Sequence, residues 1–268
     1  MSAAPGLARL AFITGASSGI GQALAAQAVA RGWRVGLLAR RVDQLADWCR
    51  AQGWPAHQWA VYSADVRDLP ALAAACAQCL QTQGLPDVVV ANAGISVGVD
   101  LSLAEDLAVL RDVYDTNVLG MAATFQPFIA PMSARGSGTL VGVASVAAMR
   151  GLPGHAAYCG AKAAVVQMCE TLRGELRAQG VKVVTLAPGY IDTPLTRGND
   201  YPMPFLMHAD DFAQRAWDSI ERGERWRVIP WPMGVVAWLL KQLPRGLFDR
   251  IVGAQKHRKK RRREGASN

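Results

Sequence analysis

The chain has 268 residues, 51% hydrophobic and 19% charged. That is enough apolar material for one large domain or two small ones, and it excludes a wholly disordered chain. No run of about 18 apolar residues offers a membrane span. Met1 to Arg9 is too short an apolar stretch for a secretory signal, and five scattered cysteines argue against a disulfide framework and fit a reducing cytoplasm. The net charge of +8 is unevenly spread: residues 256–263 read Lys-His-Arg-Lys-Lys-Arg-Arg-Arg, so a body of ordinary charge carries a basic tail.

In chain order, strand-like and helix-like segments alternate. Leu10 to Thr14 is a short apolar run that ends at Gly15, and Ile20 to Ala30 has helical apolar spacing. Trp33 to Leu38 reads as a strand, followed by a helical pattern through Trp48. A weaker strand spans His57 to Val61, and Pro70 to Leu80 is Ala-rich and helical. Asp87 to Ala91 contains Val88-Val89-Val90. Leu103 to about Met132 reads as two helical segments, Thr139 to Val143 as a strand and Ala156 to Ala178 as a helix. Val181 to Leu186, Ala209 to Arg222 and Trp226 to Ile229 complete the series as strand, helix and strand. Strands separated by helices of this length imply parallel βαβ units, and their continuous apolar character fits strands covered on both faces. The expected fold is a single α/β domain, a doubly wound Rossmann-type, mostly parallel sheet with helices on both faces. It should occupy residues 1–230, with an apolar helical extension over 231–253 and a disordered basic tail over 254–268.

The first strand runs into Thr14-Gly15-Ala16-Ser17-Ser18-Gly19-Ile20-Gly21 and then a helix. Small residues there let the backbone bend sharply and approach a pyrophosphate, while the helix N-terminus offers free N–H groups. Further motifs follow in order: Asn92-Ala93-Gly94, Asn117, Ser145, Tyr158 with Lys162, and Pro188-Gly189 with Ile191 and Thr193. On the Gly-x-x-x-Gly-x-Gly spacing and these motifs the chain resembles the short-chain dehydrogenase/reductase family, in its single-domain branch of about 250 residues, over roughly residues 8–230.

The resemblance implies a carbonyl–alcohol oxidoreductase that uses a nicotinamide cofactor and no metal. Tyr158 and Lys162, four apart on a helix, project from one face. A free tyrosine has a pKa near 10, and a nearby ammonium moves it down toward the range useful for acid/base work. The family assigns proton transfer to Tyr158, the nicotinamide ribose to Lys162, the substrate oxygen to Ser145 and a water linking Lys162 to solvent to Asn117. It places the carboxamide against Ile191 and Thr193, and lets Asn92 brace the sheet. Asp65 is either the partner of the adenine amino group, with Val66 beside the ring, or a helix cap before Leu69. The second strand ends Leu37-Leu38-Ala39, followed by Arg40-Arg41, with no acidic residue where NAD-preferring members carry Asp. Arg40 then reads as a ligand of a 2′-phosphate, implying NADP; the bland reading is a solvated Arg pair. Many NADP-preferring relatives carry a second basic residue where Ser18 stands here.

Cys76 and Cys79 read as two small helix residues, and Cys159 as a packed small side chain. His155 is placed near the pocket, and His208 near a helix start. The long connection 190–208 is either a substrate lid, whose apolar content suits a partly hydrophobic substrate, or a segment packed on the body. Pro244 should break or restart a helix in the extension. That extension either anchors on an anionic membrane surface at the cytoplasmic side, docks on the body, or meets a partner subunit. Family members commonly form homodimers or homotetramers through helices around 100–133 and 155–178. Specific nucleic-acid recognition is not expected. Two rival readings are a redox-inert nucleotide-sensing protein on the same fold and a membrane or nucleic-acid adaptor.

Overall fold

In a computed structural model the apolar runs become strands because both of their faces are covered; the structure describes residues 8–253. Nine strands and nine helices are found among these residues. In chain order they begin β1 (Leu10–Thr14), α1 (Gly19–Ala30), β2 (Arg34–Ala39), α2 (Val42–Ala51), β3 (Trp59–Ser63), α3 (Leu69–Thr82) and β4 (Val88–Ala91). Then come α4 (Asp106–Tyr114), α5 (Gly120–Arg135), β5 (Gly138–Val143), α6 (Ala156–Leu176) and β6 (Val181–Pro188). The chain continues through β7 (Ile191–Asp192), β8 (Met207–His208), α7 (Ala209–Arg222), β9 (Trp226–Ile229), α8 (Trp231–Gln242) and α9 (Arg245–Gly253). Seven strands form one wholly parallel sheet in the order β3-β2-β1-β4-β5-β6-β9, and β7 pairs with β8 apart from it.

Two apolar layers sandwich the sheet. On one side α1, α2 and α7 contribute Leu24, Leu45, Phe212 and Trp217; on the other α3, α5 and α6 contribute Leu72, Phe125, Phe128 and Val165. The strands feed both layers alternately: Ile13 enters the first and Phe12 the second, the period-two geometry of a strand. Strand order reverses between β1 and β4, so the chain leaves these neighbours for opposite faces and a crevice opens at their carboxyl ends.

One boundary differs from the sequence expectation, and one is met. The segment read as two helices over 103–132 is nearly continuous, because a π-helical stretch at Asp115–Leu119 joins α4 to α5. In the extension α8 ends at Gln242 and α9 begins at Arg245, so Pro244 does interrupt the helix. The extension partly docks on the body. Met233, Ala237 and Phe248 are buried, and Arg150 donates to the carbonyls of Lys241 (3.2 Å) and Leu243 (3.1 Å) with its guanidinium over the Phe248 ring. The expected basic tail, 254–268, lies outside the described residues.

Trp217 locks α7 onto α1. It is fully buried, its indole N–H donates to the Leu24 carbonyl at 2.8 Å, and its ring lies 4.9 Å from that of Trp33. Trp217→Ala should therefore lower unfolding free energy by about 3–5 kcal/mol. A urea titration checks this as a lower midpoint at unchanged slope.

Candidate active site

The site begins where β1 and β4 end. Thr14 Oγ1 accepts the N–H groups of Asn92 (3.1 Å) and Ala93 (3.2 Å), and Asn92 Nδ2 donates to the carbonyls of Thr14 (3.0 Å) and Gly15 (3.2 Å). The glycines of the turn are then forced. Gly15 has φ 66°, and a Cβ there would stand 2.7 Å from Ala93 Cα; a Cβ at Gly21 would stand 2.2 Å from the Gly15 carbonyl oxygen. Ser18 is extended at the N-cap of α1 and its side chain makes no capping bond there. The first N–H groups of α1 thus remain for an anionic ligand, and the bare backbone of the turn allows close approach. These residues fit a dinucleotide pyrophosphate. Ser17 and Ile20 are half-buried, and Ile20 packs on the core.

The other expected cofactor residues line the same carboxyl edge. Arg40 follows β2 and is exposed, with Nη1 3.7 Å from Asp65 Oδ2. Asp65 is held more tightly by Arg67, at 2.8 Å, and accepts the Arg67 backbone N–H at 3.0 Å. Hydrogen bonding to Arg67 holds the Asp65 carboxyl below its ordinary value. The helix-cap reading of Asp65 does not hold: Asp68 is the N-cap of α3 and accepts from Ala71 N at 3.0 Å. Val66 turns inward, buried where α5 starts at Gly120. Pro188 ends β6 beside Ile229, and Gly189 N–H donates to the Ile229 carbonyl at 2.8 Å. Ile191 is buried in the core, while Thr193 overhangs Gly19, where an added Cβ would meet it at 3.0 Å.

Tyr158, Lys162, Ser145 and Asn117 meet at the ends of β4 and β5. Ser145 follows β5 and caps a short helical turn, its Oγ accepting Ala147 N–H at 3.1 Å. Lys162 Nζ is buried, lies 5.8 Å from the centre of the Tyr158 ring and donates to the Val143 carbonyl at 2.7 Å. Burial pulls this amine down to about 8. Burial also pushes the Tyr158 phenol up to about 12, against the pull of the Ser145 hydroxyl beside it. Desolvation dominates at Tyr158, so its phenol lies above the ordinary value rather than below it. Asn117 lies in the π-helical stretch. Its side chain brackets Ile95, donating to the carbonyl at 2.9 Å and accepting the N–H at 2.8 Å. A Cβ on Gly94 would sit 3.2 Å from Asn117 Oδ1 and 3.5 Å from Lys162 Nζ, so the three positions crowd together.

Tyr201 of the 190–208 connection reaches back to this group. Its hydroxyl is 3.5 Å from His155 Nε2, and its ring lies near those of His155 (5.9 Å) and Tyr190 (6.2 Å). The sequence marked His155 but not Tyr201, nor Arg67 beside Asp65. The nearby cleft of about 370 Å³ is lined by Ser18, Gly19, Thr193, Pro194 and Arg197. A larger one, about 430 Å³, lies at the amino end of β6 and holds none of these residues. Cys76 and Cys79 are both buried in α3, and His208 is the N-cap of α7.

The chain is similar to known proteins along most of its length. The family profile described as short chain dehydrogenase matches residues 9–202. An uncharacterized oxidoreductase of Myxococcus xanthus is 39% identical over 244 residues, covering 90% of this chain and 95% of its own. The 2-(R)-hydroxypropyl-CoM dehydrogenase of Xanthobacter autotrophicus is 33% identical over 195 residues, 71% of this chain and 78% of its own. A crystal structure of a short-chain dehydrogenase from Streptomyces avermitilis superposes with a TM-score of 0.75 at 27% identity, covering 91% of this chain and 94% of its own.

The environment of Lys162 has a direct readout. A side-chain NMR titration of the lysines should show one ammonium losing its proton near pH 8, well below the others, and Lys162→Met should remove that signal. A Lys162 transition in the ordinary lysine range, about 10.4, would contradict this account of its burial.

Proposed function

Because this chain belongs to the short-chain dehydrogenase/reductase family, we propose that it is an NADP-dependent oxidoreductase interconverting a carbonyl and an alcohol, with Tyr158 as acid and base. The observation that carries this reading is the grouping of Ser145, Tyr158 and Lys162 beside the glycine turn. The Xanthobacter relative, named as a hydroxypropyl dehydrogenase, supports the alcohol side of it.

Gly15, Ser17, Ser18, Gly19, Ile20 and Gly21 hold the pyrophosphate against α1, and Arg40 holds the 2′-phosphate. Arg67 already neutralises Asp65, so the more distant Arg40 keeps its charge for that phosphate. Asp65 and Val66 border the adenine, Asn92, Ala93 and Gly94 the dinucleotide's centre, and Pro188, Gly189, Ile191 and Thr193 the carboxamide. The nicotinamide, when bound, supplies the hydride in reduction and accepts it in oxidation. Ser145 Oγ spends a lone pair on Ala147 N–H, which leaves its O–H to donate to the substrate oxygen. Tyr158 keeps its proton to about 12 and gives it to that oxygen as the carbonyl is reduced; in oxidation it takes the proton back. The phenolate left by reduction is stabilised by the Lys162 ammonium, the cation nearest its ring. Reprotonation runs past Lys162 through a water held by Asn117. Since the Asn117 side chain is bonded to Ile95 in both directions, that water takes its backbone carbonyl or the second lone pair of Oδ1.

A partly hydrophobic substrate fits the Tyr190, Tyr201 and His155 rings and the apolar 190–208 connection. The same reading gives a homodimer or homotetramer through helices around 100–133 and 155–178, where Leu101, Leu107 and Leu119 are exposed.

Two substitutions test this reading. Tyr158→Phe keeps the ring and removes the proton. Turnover of NADPH with a carbonyl should drop at least roughly 100-fold while cofactor binding persists, and near-normal turnover sinks the assignment. Arg40→Asp exchanges attraction for repulsion at the phosphate. A charge-assisted contact is worth about 1.5–3 kcal/mol, so the NADPH-over-NADH ratio of kcat/KM should fall at least roughly tenfold. An unchanged ratio means Arg40 does not read the phosphate.

A further inference from the structure

The exposed large apolar side chains of this protein are not scattered. Nine of thirteen among the described residues lie between 195 and 251. On α8, Trp231, Val235, Trp238 and Leu239 recur at helical spacing and are 68%, 47%, 59% and 54% exposed. The opposite face of the same helix carries Met233 and Ala237, seated on the body. On α9, Leu247 and Ile251 are exposed while Phe248 sits beneath Arg150. The 190–208 connection adds Leu195, Phe205 and Leu206. Phe205 has φ 58°, a left-handed backbone that is costly for a bulky residue, yet its ring stands in water.

These segments share one end of the sheet. The connection leaves β6 after Pro188, α8 leaves β9 after Ile229, and Pro188 and Ile229 are paired in register. Lys241, Arg245 and Arg250 are exposed on the same two helices, and the seven cations of 256–263 follow α9 closely in sequence. Neither helix can cross a membrane, at 12 and 9 residues.

We propose that this edge, through α8 and α9, docks on an anionic lipid surface. The Trp231–Leu239 stripe enters the headgroup boundary and the basic cluster is neutralised by lipid phosphates. An apolar stripe followed by clustered Lys and Arg has the two components that interfacial binding requires. Nucleic acid would leave the tryptophans unused. The docking goes beyond the carbonyl–alcohol reading and is measured without cofactor or substrate, so either can fail alone.

The test is cosedimentation of the full-length protein at low salt with vesicles of phosphatidylcholine, with and without phosphatidylglycerol. Binding should require phosphatidylglycerol and be released by raised salt. Deleting residues 256–268, or the surface substitutions Trp231→Ser with Trp238→Ser, should each weaken partitioning at least about tenfold. Trp231 and Trp238 are the exposed tryptophans among the described residues. Brominated lipid should therefore quench the emission of the wild type and not that of the double variant, whose thermal melt confirms its fold. The proposal is overturned if the wild type stays in the supernatant, if it binds neutral vesicles equally, or if the double variant binds as the wild type does. It is also overturned if vesicles are ignored and sedimentation equilibrium shows a dimer that the double variant splits.

Discussion

The ends of β1 and β4 are held within hydrogen-bonding distance by one hydroxyl and one amide, and the rest of the carboxyl edge is built outward from there. Thr14 supplies an acceptor on its side chain and another on its backbone, and Asn92 fills both from the neighbouring strand. With the two tips fixed, the turn after β1 has room for backbone only, which is why Gly15 and Gly21 cannot carry a Cβ. The same fixed tip carries Gly94 and Ile95 to Asn117, and Asn117 holds the π-helical stretch against them. A π turn embedded in helix sacrifices regular bonding, and such turns gather at functional sites. Here it brings Asn117 to the level of Lys162 between α4 and α5.

The electrostatics of the pair on α6 follow from depth more than from proximity. Lys162 and Tyr158 are near enough to interact, but desolvation acts on each separately and disfavours both charged forms. The phenol therefore waits protonated and the amine is poised to change charge near neutral pH.

Much of this was legible in the sequence. Val88-Val89-Val90 could only be a strand covered on both sides, and all three are buried. Gly15, Gly19 and Gly21 declared a tight strand–helix turn by their spacing. Three-dimensional neighbours were not legible. Arg67 stands two residues from Asp65, yet nothing in the sequence said that it would occupy that carboxylate, or that Asp68 would take over the cap. The upward displacement of the Tyr158 pKa depends on how deeply α6 sinks, which has no residue-level signature. Tyr201 lies forty-six residues from its partner His155, within a connection whose path the sequence does not reveal.

The short last strand has a bearing on self-association. An open parallel sheet leaves two unpaired margins, and a free margin is a template on which another chain can polymerise. At one margin stands β9, four residues long, bearing Arg227 and followed at once by Pro230. Brevity, charge and a missing backbone donor each discourage an incoming strand. Continuous sheet growth from copy to copy is thus discouraged at this side.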